Sequence, residues 1–269
     1  MNKAARRITH EPGYILHSYP WSEHSLILEA FTRHHGRIAL LAKGAKRPSS
    51  NFRPVLLPMQ PLLLTWSGAA EIRTLKGAEW GGGPLMPAGP ALLAGYYAGE
   101  LLLRALPRED PALALFDAYA ALLTHLAAPF GAPAEAHTAA ALRAFELLLL
   151  RALGQLPALG AQTLTLAPLA PAASYTLVPE SGLRTASTSE AALPGAHWQA
   201  LDTALGEPTP FAATLHAIAA FSAAHARALH HMLRHSLRHY CGTDMHTPRL
   251  VREARALAIP ATPPAPQRA

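Results

Sequence analysis

The chain contains very little cysteine and no long hydrophobic run. Cys241 is the only cysteine among 269 residues, which excludes an internal disulfide and a zinc site built from several cysteines. No apolar run approaches the roughly 18 residues that a membrane-spanning helix needs. The basic start "MNKAARRITHEPGY" has no apolar segment behind it, so we expect no secretory signal. A reducing cytoplasm is the simplest location for such a chain.

Catalytic motifs are missing as well. The sequence has no glycine-rich phosphate loop with its lysine, no G-x-S-x-G and no H-E-x-x-H. Its "GGG" at 81–83 precedes a proline rather than a helix that carries a lysine. We therefore predict a protein that is not an enzyme and that needs no cofactor.

Charged residues make up only 15% of the chain, and they are segregated. Residues 1–80 contain 11 Lys and Arg against 5 Asp and Glu, whereas residues 90–226 contain 5 against 10. The balance reverses again over 227–255, with 6 basic against 2 acidic residues. Two separate basic segments favour a polyanionic partner that contacts both of them.

The first 80 residues have the pattern of a small β-barrel. Five short runs rich in aliphatic, β-branched and aromatic residues are separated by glycine, proline or polar breaks. They are "GYILHSY", "SLILEAFTR", "GRIALLAKG", "VLLPMQPLLLTW" and "AEIRTLKGAEW". Pro58 and Pro61 remove two hydrogen-bond donors from the fourth run, so we expect an irregular or edge strand there. Five strands of this length match the five-stranded OB-fold.

Helical periodicity begins after the break "GGGPLMPAGP". We therefore predict an α+β protein with an OB-fold domain over 1–80, a linker over 81–90 and a mainly α-helical domain over 91–257. The helical domain contains an irregular, proline-rich insert at 155–195. The proline- and alanine-rich residues 258–269 are expected to form a disordered tail.

Three helix ends can be predicted from local signals. Pro111 is expected at the first position of the second helix, where a proline is tolerated. Gly154 is a candidate C-cap for the third helix. The last helix is expected to run without interruption from about Thr209 to Tyr240.

Basic residues are concentrated around the second predicted hairpin. Two of them flank its turn and four lie on the loop that follows, in the order Arg33, Arg37, Lys43, Lys46, Arg47 and Arg53. Clustered cations on a barrel can form an electrostatic groove for nucleic-acid phosphates. Trp21 and Phe52 lie in loops beside these cations and are candidates for base stacking, although either could belong to the core instead. The alternative for the whole cluster is a solvated hairpin with incidental basic residues.

A second basic stripe is expected on the last helix. His231, Arg234, His235, Arg238 and His239 recur at helical spacing on one face. Histidines four residues apart on a helix can bind Zn²⁺. The interleaved arginines would repel a metal ion, however, so we predict no metal site. A solvated face, or a basic face that contacts DNA or a protein, remains open.

The stretch "GYILHSYPWSEHSLILEAFTRHHGRIALLAKGAKRPSS" resembles the N-terminal signature of the RecO family of recombination mediators. The resemblance continues at "MQPLLL", at "AEIRTLKGAE", at the central helix "ALRAFELLLLRALGQLP" and at "HYCGTDMHTPRLVREA" near the C-terminus. It implies an OB-fold followed by a helical domain, with an insert that forms a zinc-ribbon-like lobe in many relatives. This chain departs from those relatives because residues 155–185 contain no cysteine. We therefore expect a metal-free version of the lobe.

The resemblance also implies a function. Such mediators bind single- and double-stranded DNA, anneal complementary strands, act with RecR and help to load RecA onto strands coated by single-strand-binding protein. On that interpretation the hairpin cations bind phosphates, and a second DNA surface consists of Arg234, Arg238, Arg249 and Arg252. The candidate site for the acidic tail of single-strand-binding protein comprises Arg143, Phe145 and Arg151.

Two alternatives from other classes remain open on the sequence alone. A generic OB-fold RNA-binding module would show the same basic hairpin, and comparing affinities for DNA and RNA of equal sequence separates it. A metal-dependent hydrolase could use the His-rich helix, and metal analysis of the purified protein tests that possibility.

Overall fold

The computed structural model describes residues 7–84, 86–128, 134–242 and 245–247. Its strands are β1 (Arg7–Pro20), β2 (Leu26–Thr32), β3 (Gly36–Ala42), β4 (Leu62–Ser67), β5 (Ile72–Trp80), β6 (Ser174–Val178), β7 (Gly182–Thr185) and β8 (Leu193–Pro194). Its helices are α1 (Pro90–Ala105), α2 (Leu113–Ala127), α3 (Ala134–Ala152), α4 (Gly195–Gly206), α5 (Pro210–Ala219) and α6 (Ala223–Cys241). Among the described residues, no helix is both long and apolar enough to span a membrane.

The first five strands close into a barrel in the order β1-β2-β3-β5-β4. All neighbours are antiparallel except β3 and β5, which run parallel, as expected for an OB-type barrel. Alternate side chains of the strands fill its interior, mainly Ile15, Leu28, Ile38, Leu40, Leu62, Leu64, Trp66 and Leu75. The prediction of a five-stranded barrel followed by a helical region is therefore confirmed.

The barrel packs against the helices through side chains that alternate with its interior residues. The ring of Tyr14 lies 5.2 Å from that of Tyr119 and 5.4 Å from that of Phe116, measured between centroids. The ring of Phe31 lies 5.3 Å from that of Phe116. Burial in this cluster raises the pKa of Tyr14 to about 12. Through these contacts the outward-facing barrel side chains belong to the hydrophobic core of the helices, while the barrel interior forms a second core.

Some predicted element boundaries were wrong. The fourth strand begins only at Leu62, after the two prolines that were expected to disturb it, and it is not an edge strand because it pairs with both β1 and β5. Pro111 precedes α2, which starts at Leu113. The single last helix is two helices, α5 and α6, separated at residues 220–222, where the Ser222 hydroxyl accepts a hydrogen bond from the backbone N–H of His225. Helix α4 was not predicted.

The segment between α3 and α4 contains a small three-stranded sheet in the order β7-β6-β8. Hydrogen bonds and apolar contacts hold it on the helices. The indole of Trp198 donates to the carbonyl of Tyr175 at 3.1 Å, and the carboxylate of Asp202 accepts from the backbone N–H of Leu159 at 2.9 Å. Leucines from the sheet join the helical core.

The residues that line the interior of this insert are not of the types that bind a zinc ion. The segment has no cysteine, and its interior is lined by leucine and aromatic side chains. Across the part of the chain that the structure describes, no group of three or more His, Cys, Asp or Glu is placed to hold a metal. The one cysteine, Cys241, is buried at the end of α6, where burial raises the pKa of its thiol.

Candidate nucleic-acid interface

The loop that leaves β3 lies across one end of the barrel. Gly44 has φ +69°, which a glycine adopts without strain, and it turns the chain where the strand ends. The backbone N–H of Lys46 donates to the carbonyl of His24 at 3.0 Å, and its ammonium group donates to the carbonyl of Ser22 at 3.2 Å. These two bonds tie the loop to the β1–β2 loop, so its cations have a defined position.

Two adjacent cavities open beside this loop, and together we call them the basic groove. The first, of about 470 Å³, is lined by Lys43, Arg47 and Lys76, with Glu79 as its one carboxylate. The second, of about 330 Å³, is lined by Lys46 and Arg53 together with Leu26, Ala45 and Leu56. Phe52 lines both cavities.

The cations of the basic groove are exposed and have no carboxylate partner among the described residues. Five exposed residues supply these cations, namely Lys43, Lys46, Arg47, Arg53 and Lys76. Within the described residues none of these five forms an ion pair with a carboxylate. Uncompensated positive charge around a concave surface raises the local concentration of anions. Four of the six hairpin cations predicted from the sequence are therefore brought together here.

Lys76 lines the first cavity but was not among the predicted DNA-binding residues. Thr65 pairs with Gly77 while Trp66 pairs with Leu75, so Lys76 is an extra residue in β5. A β-bulge of this kind re-aims the side chain at the bulge, and Lys76 lines the first cavity. The glycine directly after Lys76 is the one signal in the sequence, because an isolated glycine in a strand suggests a bulge.

Arg33 and Arg37 have a different role from the one predicted. Arg33 forms a two-pronged ion pair with Asp117 on α2. The guanidinium of Arg37 donates to the carboxylate of Glu29 at 3.0 Å and to the carbonyl of Leu106 at 2.9 Å. Both arginines therefore join the barrel to the helices and do not line the basic groove.

A buried carboxylate lies at the centre of this junction. Glu29 is almost completely buried and also accepts from Arg108 at 2.5 Å. The turn before β3 fits tightly against the same segment, since a Cβ on Gly36 would lie 2.2 Å from the carbonyl oxygen of Asp110. Charge and shape both fix the β2–β3 turn against the helical part, and the basic groove lies at the other end of β3.

Helix α6 presents the predicted polar stripe. His231, Arg234, His235, Arg238 and His239 are exposed, whereas Leu229, Met232, Leu233 and Leu237 are buried on the other side. A ring nitrogen of His239 lies 3.0 Å from the carboxylate of Glu180. Arg249 and Arg252 lie outside the described residues, so their part in a second basic surface stays a prediction.

The candidate partner site is only partly at the surface. Phe145 is completely buried, and Arg143 is buried with its guanidinium on the carboxylate of Glu146 at 2.6 Å. Tyr97 donates to the same carboxylate at 2.8 Å. Burial raises the pKa of Glu146, and Arg143 opposes that rise. Arg143 and Phe145 therefore belong to the core, which corrects their prediction as part of a site for the acidic tail. Arg151 is exposed.

These features define a class of protein. The features are an OB-type barrel, a basic groove whose cations have no carboxylate partner in the described part of the chain, and a helical domain fixed to the barrel through Glu29 and Arg37. Two family models match the chain: "Recombination protein O N terminal" over residues 6–83 and "Recombination protein O C terminal" over residues 87–249. The chain belongs to the RecO family.

Individual relatives agree with that assignment over nearly the whole chain. A DNA repair protein RecO from Variovorax paradoxus is 60% identical over 94% of this chain and 99% of its own length. The protein of that name from Verminephrobacter eiseniae is 56% identical over 90% of this chain and 94% of its own. The one from Albidiferax ferrireducens is 50% identical over 95% of this chain and 100% of its own.

Proposed function

We propose that this protein acts in DNA repair and recombination by binding single- and double-stranded DNA and annealing complementary strands. The observation that carries the proposal is the basic groove, with five exposed cations that have no carboxylate partner in the described residues. Phosphates along a nucleic-acid strand are the anions that such a surface fits. The names of the relatives supply the repair context.

Annealing requires that two negatively charged strands approach each other. We assign one strand to the basic groove and the other to the exposed face of α6, which carries Arg234 and Arg238. Each surface reduces the repulsion between the strands by neutralising phosphates. Pairing of complementary bases then provides the driving force, so the step needs no nucleotide hydrolysis. The absence of a phosphate-loop motif in the sequence is compatible with this mechanism.

The proposal includes partners that the family resemblance implies. They are RecR, the acidic tail of single-strand-binding protein and, indirectly, RecA. The proposed location of the annealing reaction is the nucleoid in the cytoplasm. Because Arg143 and Phe145 are buried, Arg151 at the end of α3 is the remaining residue of the candidate tail site. Its guanidinium donates to the carbonyl of Leu205.

Binding of single-stranded DNA should be mostly electrostatic. Each phosphate neutralised on a single strand contributes about −0.7 to the slope of log K against log salt, so five cations predict a slope of about −3.5. Fluorescence anisotropy with an oligonucleotide of mixed sequence over a salt series measures it. Changing Lys43, Arg47 and Lys76 together to Gln should make the slope shallower by about 2. A flat salt response of the unaltered protein would rule out the basic groove as the binding surface.

Comparing the affinity for this DNA with that for an RNA oligonucleotide of equal sequence tests the RNA-binding alternative.

The α6 face should matter more for annealing than for holding one strand. We expect Arg234→Glu with Arg238→Glu to slow annealing of complementary oligonucleotides at least about tenfold, because two phosphate attractions become repulsions. Binding of a single strand should change less than about twofold, since the basic groove is intact. The matched control, His231→Gln with His235→Gln, changes the same face and keeps both arginines. Equal losses of annealing and of single-strand binding would contradict this assignment.

A further inference from the structure

Phe52 is shared by the two cavities of the basic groove. Its partly exposed ring contributes to the wall of both, with Lys43 and Arg47 lining one and Lys46 and Arg53 lining the other. The turn around it is ordered by backbone hydrogen bonds, including one from the N–H of Leu56 to the carbonyl of Phe52 at 2.9 Å. The remainder of the ring packs on the interior of the barrel. An aromatic side chain that lines two cation-lined cavities is therefore held in place by the surrounding turn and by the barrel interior.

This arrangement matches the chemistry of an unpaired strand. The cations that line the two cavities can bind phosphates, and the aromatic ring that both cavities share offers a stacking surface for a base. A duplex cannot use that surface in the same way, because its bases are already stacked on each other. We infer that Phe52 stacks on an unpaired base and so gives the basic groove its selectivity for single strands. The inference rests on the proposed function and extends it from charge to base recognition.

Other aromatic residues near this end of the barrel are more exposed but less well placed. Trp21 is 62% exposed and Trp80 is 55% exposed, yet neither lines either cavity. Trp21 follows β1, in a loop that is tied to the cationic loop through Lys46. The position in two cation-lined cavities, rather than exposure, therefore assigns the stacking role to Phe52.

The test compares strands that carry the same phosphates with and without bases. Fluorescence anisotropy is measured for an oligothymidine strand, for an abasic strand of equal length and for a duplex. Removing one base–aromatic stack is expected to weaken binding about 5- to 150-fold. Phe52→Leu, which keeps an apolar side chain on the barrel, should show this loss with oligothymidine and change binding of the abasic strand and the duplex less than about twofold. Phe52→Trp should bind oligothymidine at least as tightly as the unaltered protein.

Matched variants separate this inference from the function on which it rests. Trp21→Leu should bind all three ligands normally, and thermal melts of each variant check that it is folded. If folded Phe52→Leu binds oligothymidine normally, or if Trp21→Leu shows the loss instead, the stacking role of Phe52 is wrong. Should Phe52→Leu fail to fold, Phe52→Trp decides, because weaker oligothymidine binding by that folded variant also overturns the role. The electrostatic function would be overturned separately, by unchanged binding of the abasic strand after removal of the groove cations.

Discussion

Changing Lys43, Arg47 and Lys76 together to Glu is expected to weaken binding of single-stranded DNA more than about 100-fold. Two unit charges 4 Å apart in water attract with about 1 kcal/mol, so losing three such attractions costs about 3 kcal/mol, or about 150-fold in affinity. The introduced carboxylates add repulsion. The three side chains line one cavity from two different segments of the barrel, so the change affects a single surface.

The fold should tolerate this change. All three residues are exposed and have no ion pair in the described part of the chain, and substitutions at such positions usually alter the free energy of unfolding by less than about 0.5 kcal/mol each. Lys46 is left in place because it ties the loop to the β1–β2 loop. Anisotropy with a single strand, thermal melts and the triple Gln variant as a charge-neutral control make up the experiment. A triple Glu variant that melts normally and binds with normal affinity would show that DNA binds elsewhere.

The barrel and its basic loop were predictable from the sequence because their signals are local. Short apolar runs with period two define strands, and a cluster such as Lys43, Lys46 and Arg47 after a strand end can be read directly. The break between α5 and α6 could not be recognised in this way. Alanine-rich sequence on both sides of residues 220–222 favours a helix throughout, and packing against α3 and α4 decides where the chain turns.

The wrong predictions at the candidate site concern charged residues that contact other groups of the protein. Arg37 and Lys43 look equivalent in the sequence, but Arg37 lies at the end of the barrel that contacts the helices, where Glu29 and Leu106 use its donors. An arginine on a helix is usually solvated, yet Arg143 is buried with Glu146, which lies three positions later on the same helix. Tertiary contacts decide whether such charged side chains are buried, and no local pattern records those contacts. Lys76 was missed because a bulge shifts the alternation of its strand.

Changing Glu29 to Ala should destabilise the protein by several kcal/mol. Only 4% of Glu29 is exposed, and its carboxylate accepts from Arg37 and Arg108, so its removal leaves two guanidinium groups at a partly buried junction without their anion. Breaking a buried ion pair from one side typically costs about 3–5 kcal/mol. Equilibrium unfolding in urea measures the change in the free energy of unfolding.

The matched control is Glu71→Ala. Glu71 also pairs with Arg108, at 3.5 Å, but its side chain is 75% exposed, so we expect the free energy of unfolding to fall by less than about 1 kcal/mol.

Binding of single-stranded DNA separates the two roles that Arg37 could have. If Arg37 only joins the barrel to the helices, Glu29→Ala measured well below its unfolding transition binds DNA as the unaltered protein does. If Arg37 contacts phosphates, freeing it from Glu29 strengthens binding. Equal stabilities of the Glu29 and Glu71 variants would contradict the structural role of the buried carboxylate, because burial is the main physical difference between the two sites.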